Sequence, residues 1–208
     1  MNRPVPRHNV NLTAEELELV LRGALGKGEH DGGRERFEAD AARYFGVAHA
    51  VAVESGRTAL HLALEGLDLP EGATVVLPSY CFFSLVKVVE GMGYIPRFAP
   101  VNPNTFALCP ERLADHIEGA HAVIVIQPFG QIADMERLKA ITEPLHIPLV
   151  EDASQSTGAR WGRIPAGSIG DVGVFSLVSG KNLQTFGGGL IVTHSADIAR
   201  GISVRMSG

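Results

Sequence analysis

Short, mostly apolar runs recur along the chain and alternate with stretches whose apolar residues fall three and four apart. The runs are Ala50-Val51-Ala52-Val53, Val75-Val76-Leu77, Ile95 to Ala99, Ala122 to Ile126, Leu149-Val150, Val172 to Leu177 and Leu190-Ile191-Val192. Strands that are apolar on both faces must be covered on both faces, so the pattern predicts a mostly parallel sheet flanked by helices. Helices are expected over Thr58 to Leu64, Phe82 to Val89 and Pro110 to Ile117, the last with proline in its first turn, and from the cap Asp134 through Ile141. Nearer the start, Phe37, Ala41, Tyr44 and Phe45 mark one face of a helix that Gly46 stops. Thr13-Ala14-Glu15-Glu16 reads as a capping box opening a helix towards Gly26, and Gly26 to Gly33 reads as a loop. The run Ala159 to Gly170 holds too much glycine for a helix and is expected to form a small hairpin. Only about ten residues separate Leu177 from Leu190, short for a crossover, so the last strand is expected to run antiparallel.

Composition narrows the class. A chain of 208 residues can enclose one substantial core, or one domain and part of a second. The net charge of −5 leaves no basic footprint for nucleic acid. No apolar run approaches membrane-spanning length, and the opening Met1-Asn2-Arg3-Pro4-Val5-Pro6 lacks the apolar stretch of a signal peptide. A cytoplasmic protein is expected. Cys81 and Cys109 have no metal-ligand spacing, so no metal site is expected, and one pair is too few for a disulfide scaffold.

Three segments carry candidate chemistry, each at the end of an expected strand, where open α/β sheets collect ligands. Glu54-Ser55-Gly56-Arg57-Thr58 is a strand end, a small-residue turn and a helix start; free N–H groups and a positive dipole end there suit a phosphate, and Thr58 and Arg57 can add a hydroxyl and a charge. Taken alone, this turn is equally a capped helix start. Glu151-Asp152-Ala153-Ser154-Gln155 ends a buried strand in carboxylates, and Asp152 can hold a pyridine nitrogen protonated or merely cap the next segment. Phe175-Ser176-Leu177-Val178-Ser179-Gly180-Lys181-Asn182 ends another. Lys181 can bond covalently to an aldehyde and later move a proton, or be a solvated loop lysine. Ser176 can bond a phosphate, and Phe82 can stack on a ring face or belong to the core. An amine and a carboxylate at two buried strand ends together form a minimal kit for pyridoxal phosphate chemistry.

The combination resembles the DegT/StrS-type sugar aminotransferases among the fold-type-I pyridoxal phosphate enzymes. The likeness begins near Thr13 and runs to the chain's end. It is carried by Ser55-Gly56 with Ala59 to Leu64; Leu77-Pro78-Ser79-Tyr80; and Phe129-Gly130-Gln131 with Ala133-Asp134-Met135. It continues in Glu151 to Gln155, Gly167 to Asp171, Phe175-Ser176 and Gly180-Lys181-Asn182-Leu183. The resemblance implies Lys181 as the Schiff-base lysine, Asp152 as partner of the ring nitrogen, Gln155 near the ring hydroxyl and Phe82 stacked on the ring. It also implies phosphate contacts from Gly56, Arg57, Thr58 and Ser176.

The implied fold is a fold-type-I large domain, α/β, with a seven-stranded, mostly parallel sheet holding one antiparallel strand. Residues 1–33 would form an N-terminal helix and glycine-rich loop, and residues 34–208 the cofactor-binding domain. The implied activity moves an amino group from an amino acid such as glutamate to a keto sugar, nucleotide-linked, in a homodimer. Arg57, Gln127-Pro128 and Gln184 to Phe186 depart from the family pattern, as does the length: Arg205 to Gly208 fall where a small C-terminal domain is expected to begin. A fragment that binds the cofactor or regulates without turnover is therefore an alternative, with a separately encoded small domain as its partner. A sugar dehydratase is another alternative; dehydratase members carry histidine where Lys181 stands.

Overall fold

The computed structural model describes residues 13–15, 18, 32–185 and 187–206. The helix expected from Thr13 towards Gly26, and the glycine-rich loop after it, lie largely outside these residues. Helix α1 (Gly33–Phe45) ends at Gly46, whose φ of 67° lets its N–H turn back onto the helix's last carbonyls. Next come β1 (His49–Val53), α2 (Gly56–Gly66), β2 (Thr74–Pro78), α3 (Phe83–Gly91) and β3 (Ile95–Ala99). After α4 (Pro110–Leu113) lie β4 (Ala122–Ile126), α5 (Met135–Thr142) and β5 (Leu149–Asp152). The hairpin β6 (Arg160–Trp161) and β7 (Ile164–Pro165) then leads to β8 (Val172–Ser176), β9 (Gly189–Thr193) and α6 (Ala196–Met206).

Among the described residues the main sheet has seven strands in the order β1-β9-β8-β5-β4-β2-β3. Pairing is parallel throughout except at β9, which runs antiparallel to both β1 and β8. This is the expected architecture, with the antiparallel strand where the short Leu177-to-Leu190 connection puts it. The hairpin also lies within Ala159 to Gly170, as expected.

Strand alternation divides the core in two. Val75, Leu77, Ile124, Val150, Val172, Val174 and Ile191 face α2, α3 and α6. Val76, Val123, Val125 and Leu149 face α4 and α5 on the other side. Burying each such side chain contributes about 1.5–3 kcal/mol, so the two layers fix the register of every central strand.

Three details differ from expectation. The helix expected over Pro110 to Ile117 splits into the four-residue α4 and a 3₁₀ turn, Ala114–His116. Tyr44 is half exposed beneath the Arg160 guanidinium, because Phe45 takes the core position against Phe175, ring centroids 4.7 Å apart. Helix α6 was not anticipated: the Ser195 hydroxyl caps it by accepting from the Ile198 N–H, and Ile198 and Ile202 pack it onto the core. No helix among the described residues is long and apolar enough to cross a membrane.

Candidate active site

Strands β1, β2, β4, β5 and β8 all point their carboxyl ends to one edge of the sheet. A cleft of about 1070 Å³ opens there, between the segments beyond these strand ends. Lys181, Asp152, Gly56, Arg57, Phe82, Gln155 and Ser176 all line it. Of the residues predicted for the site, Thr58 does not. Its backbone N–H donates to the Ser55 hydroxyl at 3.1 Å and its own hydroxyl lies 3.0 Å from that oxygen, so it closes the helix cap instead.

The Ser55 side chain caps α2, an arrangement worth about 1 kcal/mol, and its carbonyl takes the Ala59 N–H. Gly56 and Arg57 lead the helix ahead of these two occupied N–H groups, at the positive end of its dipole. Gly56 abuts the end of β8: a Cβ here would sit 2.7 Å from Ser176 Cβ. Only glycine lets the α2 turn approach Ser176 this closely. The helix start, Arg57 and Ser176 thus meet in one corner of the cleft, where free N–H groups and a positive dipole end suit an anion.

Across the cleft, Asp152 is buried at the end of β5. Burial pushes its carboxyl above the ordinary carboxylate range; hydrogen bonds from Ser154 and the Lys181 charge oppose that shift. A cationic N–H placed against Asp152 would relieve the burial penalty. Ser154 joins the two strand ends: its N–H donates to Asp152 Oδ1 at 3.0 Å, and its hydroxyl accepts from the Ser176 N–H at 2.9 Å.

Lys181 lies beyond β8, its N–H donating to the Val178 carbonyl at 3.2 Å. Its Nζ sits 5.9 Å from the centre of the Phe82 ring. Phe82 is the exposed N-cap residue of α3, so its ring is free to cover a planar ligand. Asn182 ties the lysine segment down by donating to the Thr157 carbonyl at 3.2 Å.

Sequence reasoning missed several participants. Phe129 lines the cleft in a left-handed conformation, φ 56° and ψ 27°, costing about 1–3 kcal/mol, with its N–H donating to Gln155 Oε1 at 3.4 Å. Tyr80 and Phe129, both on the cleft wall, pack with Phe106 as three half-exposed rings, centroids 5.1–6.3 Å apart. Their spacing in the sequence gives no sign of this meeting. Cys81 also lines the cleft, but burial pushes its thiol up, away from the reactive thiolate.

A carboxylate, an amine and a helix start thus gather at the carboxyl ends of a parallel sheet whose fold is shared with known proteins. The model of the DegT/DnrJ/EryC1/StrS aminotransferase family matches residues 11–207. The chain belongs to this family. Among relatives, L-glutamine:2-deoxy-scyllo-inosose aminotransferase of Streptoalloteichus tenebrarius is 34% identical over 192 residues, covering 89% of this chain and 45% of that protein. GDP-perosamine synthase of Caulobacter vibrioides is 34% identical over 164 residues, 78% of this chain and 44% of the relative. The chain therefore spans about half the length of the curated relatives it matches. Among solved structures, the Psychrobacter cryohalolentis aminotransferase superposes with a TM-score of 0.88 at 25% identity, over 93% of this chain and 50% of that one. S. venezuelae DesV, solved with a ketimine intermediate, gives 0.83 at 32% identity, over 90% and 52%.

Proposed function

We propose that the cleft binds pyridoxal 5'-phosphate and that the chain serves an aminotransferase moving an amino group from an amino acid to a keto sugar. The observation that carries this reading is the convergence of Lys181, Asp152 and the Gly56–Arg57 helix start on one cleft. When bound, the cofactor supplies an aldehyde carbon that takes up an amine and a ring that draws electrons from it. Lys181 would hold the aldehyde end through Nζ, and the same amine would serve to move a proton at the reacting carbon. Asp152 would sit against the ring nitrogen and keep that nitrogen protonated. This also resolves the cost of burying the carboxylate.

Gly56, Arg57 and Ser176 take the phosphate at the anion corner, and Thr58 supports them by holding Ser55 in place. Phe82 would cover one ring face, and Gln155, on the cleft wall, would face the ring hydroxyl. The acceptor is read as a nucleotide-linked keto sugar because relatives include a GDP-perosamine synthase and a UDP-N-acetyl-3-dehydro-alpha-D-glucosamine 3-aminotransferase. Glutamate is the proposed donor and a homodimer the proposed assembly. Lys181 favours amino transfer over the dehydratase reading. The test is to incubate the purified chain with pyridoxal phosphate, then glutamate, and follow the visible absorbance. A new band that glutamate converts supports the reading; a spectrum identical to free cofactor contradicts it.

A further inference from the structure

Glu151, beside Asp152 on β5, is fully buried and points to the opposite face of the sheet. Its Oε2 accepts from the Gly167 N–H at 3.0 Å and from Gln127 Nε2 at 2.9 Å. Its Oε1 accepts from the N–H groups of Ile169 at 2.6 Å and Gly170 at 2.5 Å. Both oxygens act only as acceptors, which is the pattern of a carboxylate. Gln127, also fully buried, uses its Oε1 to accept from the Ala133 N–H at 2.7 Å. That bond fixes the amide's orientation, since flipping it would set oxygen against carboxylate and NH2 against N–H.

The groups that Glu151 gathers are those leading into the cleft. Gly167 to Gly170 form the turn entering β8, the strand that ends in Ser176 and continues to Lys181. This turn lies flat on the sheet beside Glu151: the Gly167 carbonyl oxygen stands 1.9 Å from where a Cβ on Gly173 would be. Gln127 starts the turn that carries Phe129, and its N–H donates to the Asp152 carbonyl at 2.9 Å. The buried Ser156 hydroxyl, one residue after Gln155, donates to the Gln127 carbonyl at 2.7 Å.

We propose that Glu151 is a positioning residue for the cleft, its carboxylate locking the ends of β4 and β5 to the Gly167–Gly170 turn that enters β8, through Gln127 and that turn's N–H groups. Four donors from two separate segments meet on one buried ion, so neither segment can shift without exposing an unpaired N–H. Asp152 and the Phe129 turn are thereby fixed from behind the sheet, and the strand that leads to Ser176 is anchored where it begins. An amide at position 151 has one acceptor oxygen where two are used, and its NH2 would face two donors.

This inference rests on the proposal that the cleft binds pyridoxal phosphate, and the two can fail separately. The experiment compares the parent chain, E151Q and Q127M for pyridoxal phosphate affinity, visible circular dichroism of the bound cofactor and thermal melting. E151Q is expected to bind at least about ten-fold more weakly, with a diminished visible dichroic band at saturation, because a displaced ring is a differently oriented ring. Q127M, which leaves Glu151 its three backbone donors, is expected to fold and to show a smaller change of the same kind. A parent chain without cofactor binding sinks the cofactor reading itself. If the parent binds while folded E151Q matches its affinity and dichroism, the positioning role is wrong. Should E151Q fail to fold, Q127M decides by the same two readouts. If neither variant folds, the network is a requirement of folding, which also overturns the proposal.

Discussion

The Ser154 hydroxyl accepts a hydrogen bond from the Ser176 N–H at 2.9 Å, joining the turn after Asp152 to the strand end that leads to Lys181. The proposed ring-nitrogen partner and the proposed phosphate ligand are therefore set at a fixed separation by one side chain. Ser154→Ala leaves the Ser176 N–H without this partner, a loss of about 1–3 kcal/mol. Thermal or urea unfolding should show that loss, and cofactor titration should show weaker binding. Parental affinity in the alanine variant would mean that the two strand ends keep their spacing without the serine.

Asp152 gives a prediction with opposite signs for stability and function. Its folded-state pKa is raised by burial, so its stabilising contribution is complete below the ordinary carboxylate range and is lost as pH rises through the folded value. At neutral pH the cofactor-free chain should thus melt higher as Asp152→Asn than as the parent, with the gap closing as pH falls below the carboxylate range. The same variant should still bind cofactor while proton abstraction slows by orders of magnitude. Melting curves across pH test the first half and single-turnover kinetics with glutamate the second. A parent that melts higher than the variant at neutral pH refutes the burial argument.

Gly56→Ala would place a methyl group 2.7 Å from Ser176 Cβ, two atoms with little freedom to move. Overpacking of this kind costs about 1–3 kcal/mol. The anion corner should open with it, so affinity for the phosphorylated cofactor should fall more than affinity for pyridoxal. Titrating both ligands against the variant checks this; an equal loss for the two would remove Gly56 from the phosphate site.

Much of this fold was legible because buried parallel strands announce themselves as apolar runs. Ile95–Ala99 and Ala122–Ile126 have the expected bounds, and the antiparallel β9 is set by the short loop before it. Asp152 and Lys181 stood out as a pair, a carboxylate at the end of one buried strand and an amine beyond another, where either alone has an ordinary structural reading. Glu151 did not, although it is the more buried of the two adjacent carboxylates. Its partners Gln127, Gly167, Ile169 and Gly170 lie at sequence separations of 16 to 24 residues, visible only once β4, β5 and β8 are side by side. The aromatic group of Tyr80, Phe106 and Phe129 was hidden likewise, since its rings come from three different connections. Thr58 lies at the Ser55 cap rather than on the cleft wall, because a hydroxyl at a helix start can serve a ligand or the cap and sequence does not distinguish them.

Every role proposed for the cleft depends on Lys181 carrying the cofactor. Borohydride reduction of the chain mixed with pyridoxal phosphate, followed by peptide mapping, puts that dependence to the test. One stoichiometric pyridoxyl label is expected, on Lys181, and it should be lost in Lys181→Ala. A label on Lys87 or Lys139 instead, or none at all, would overturn the assignment.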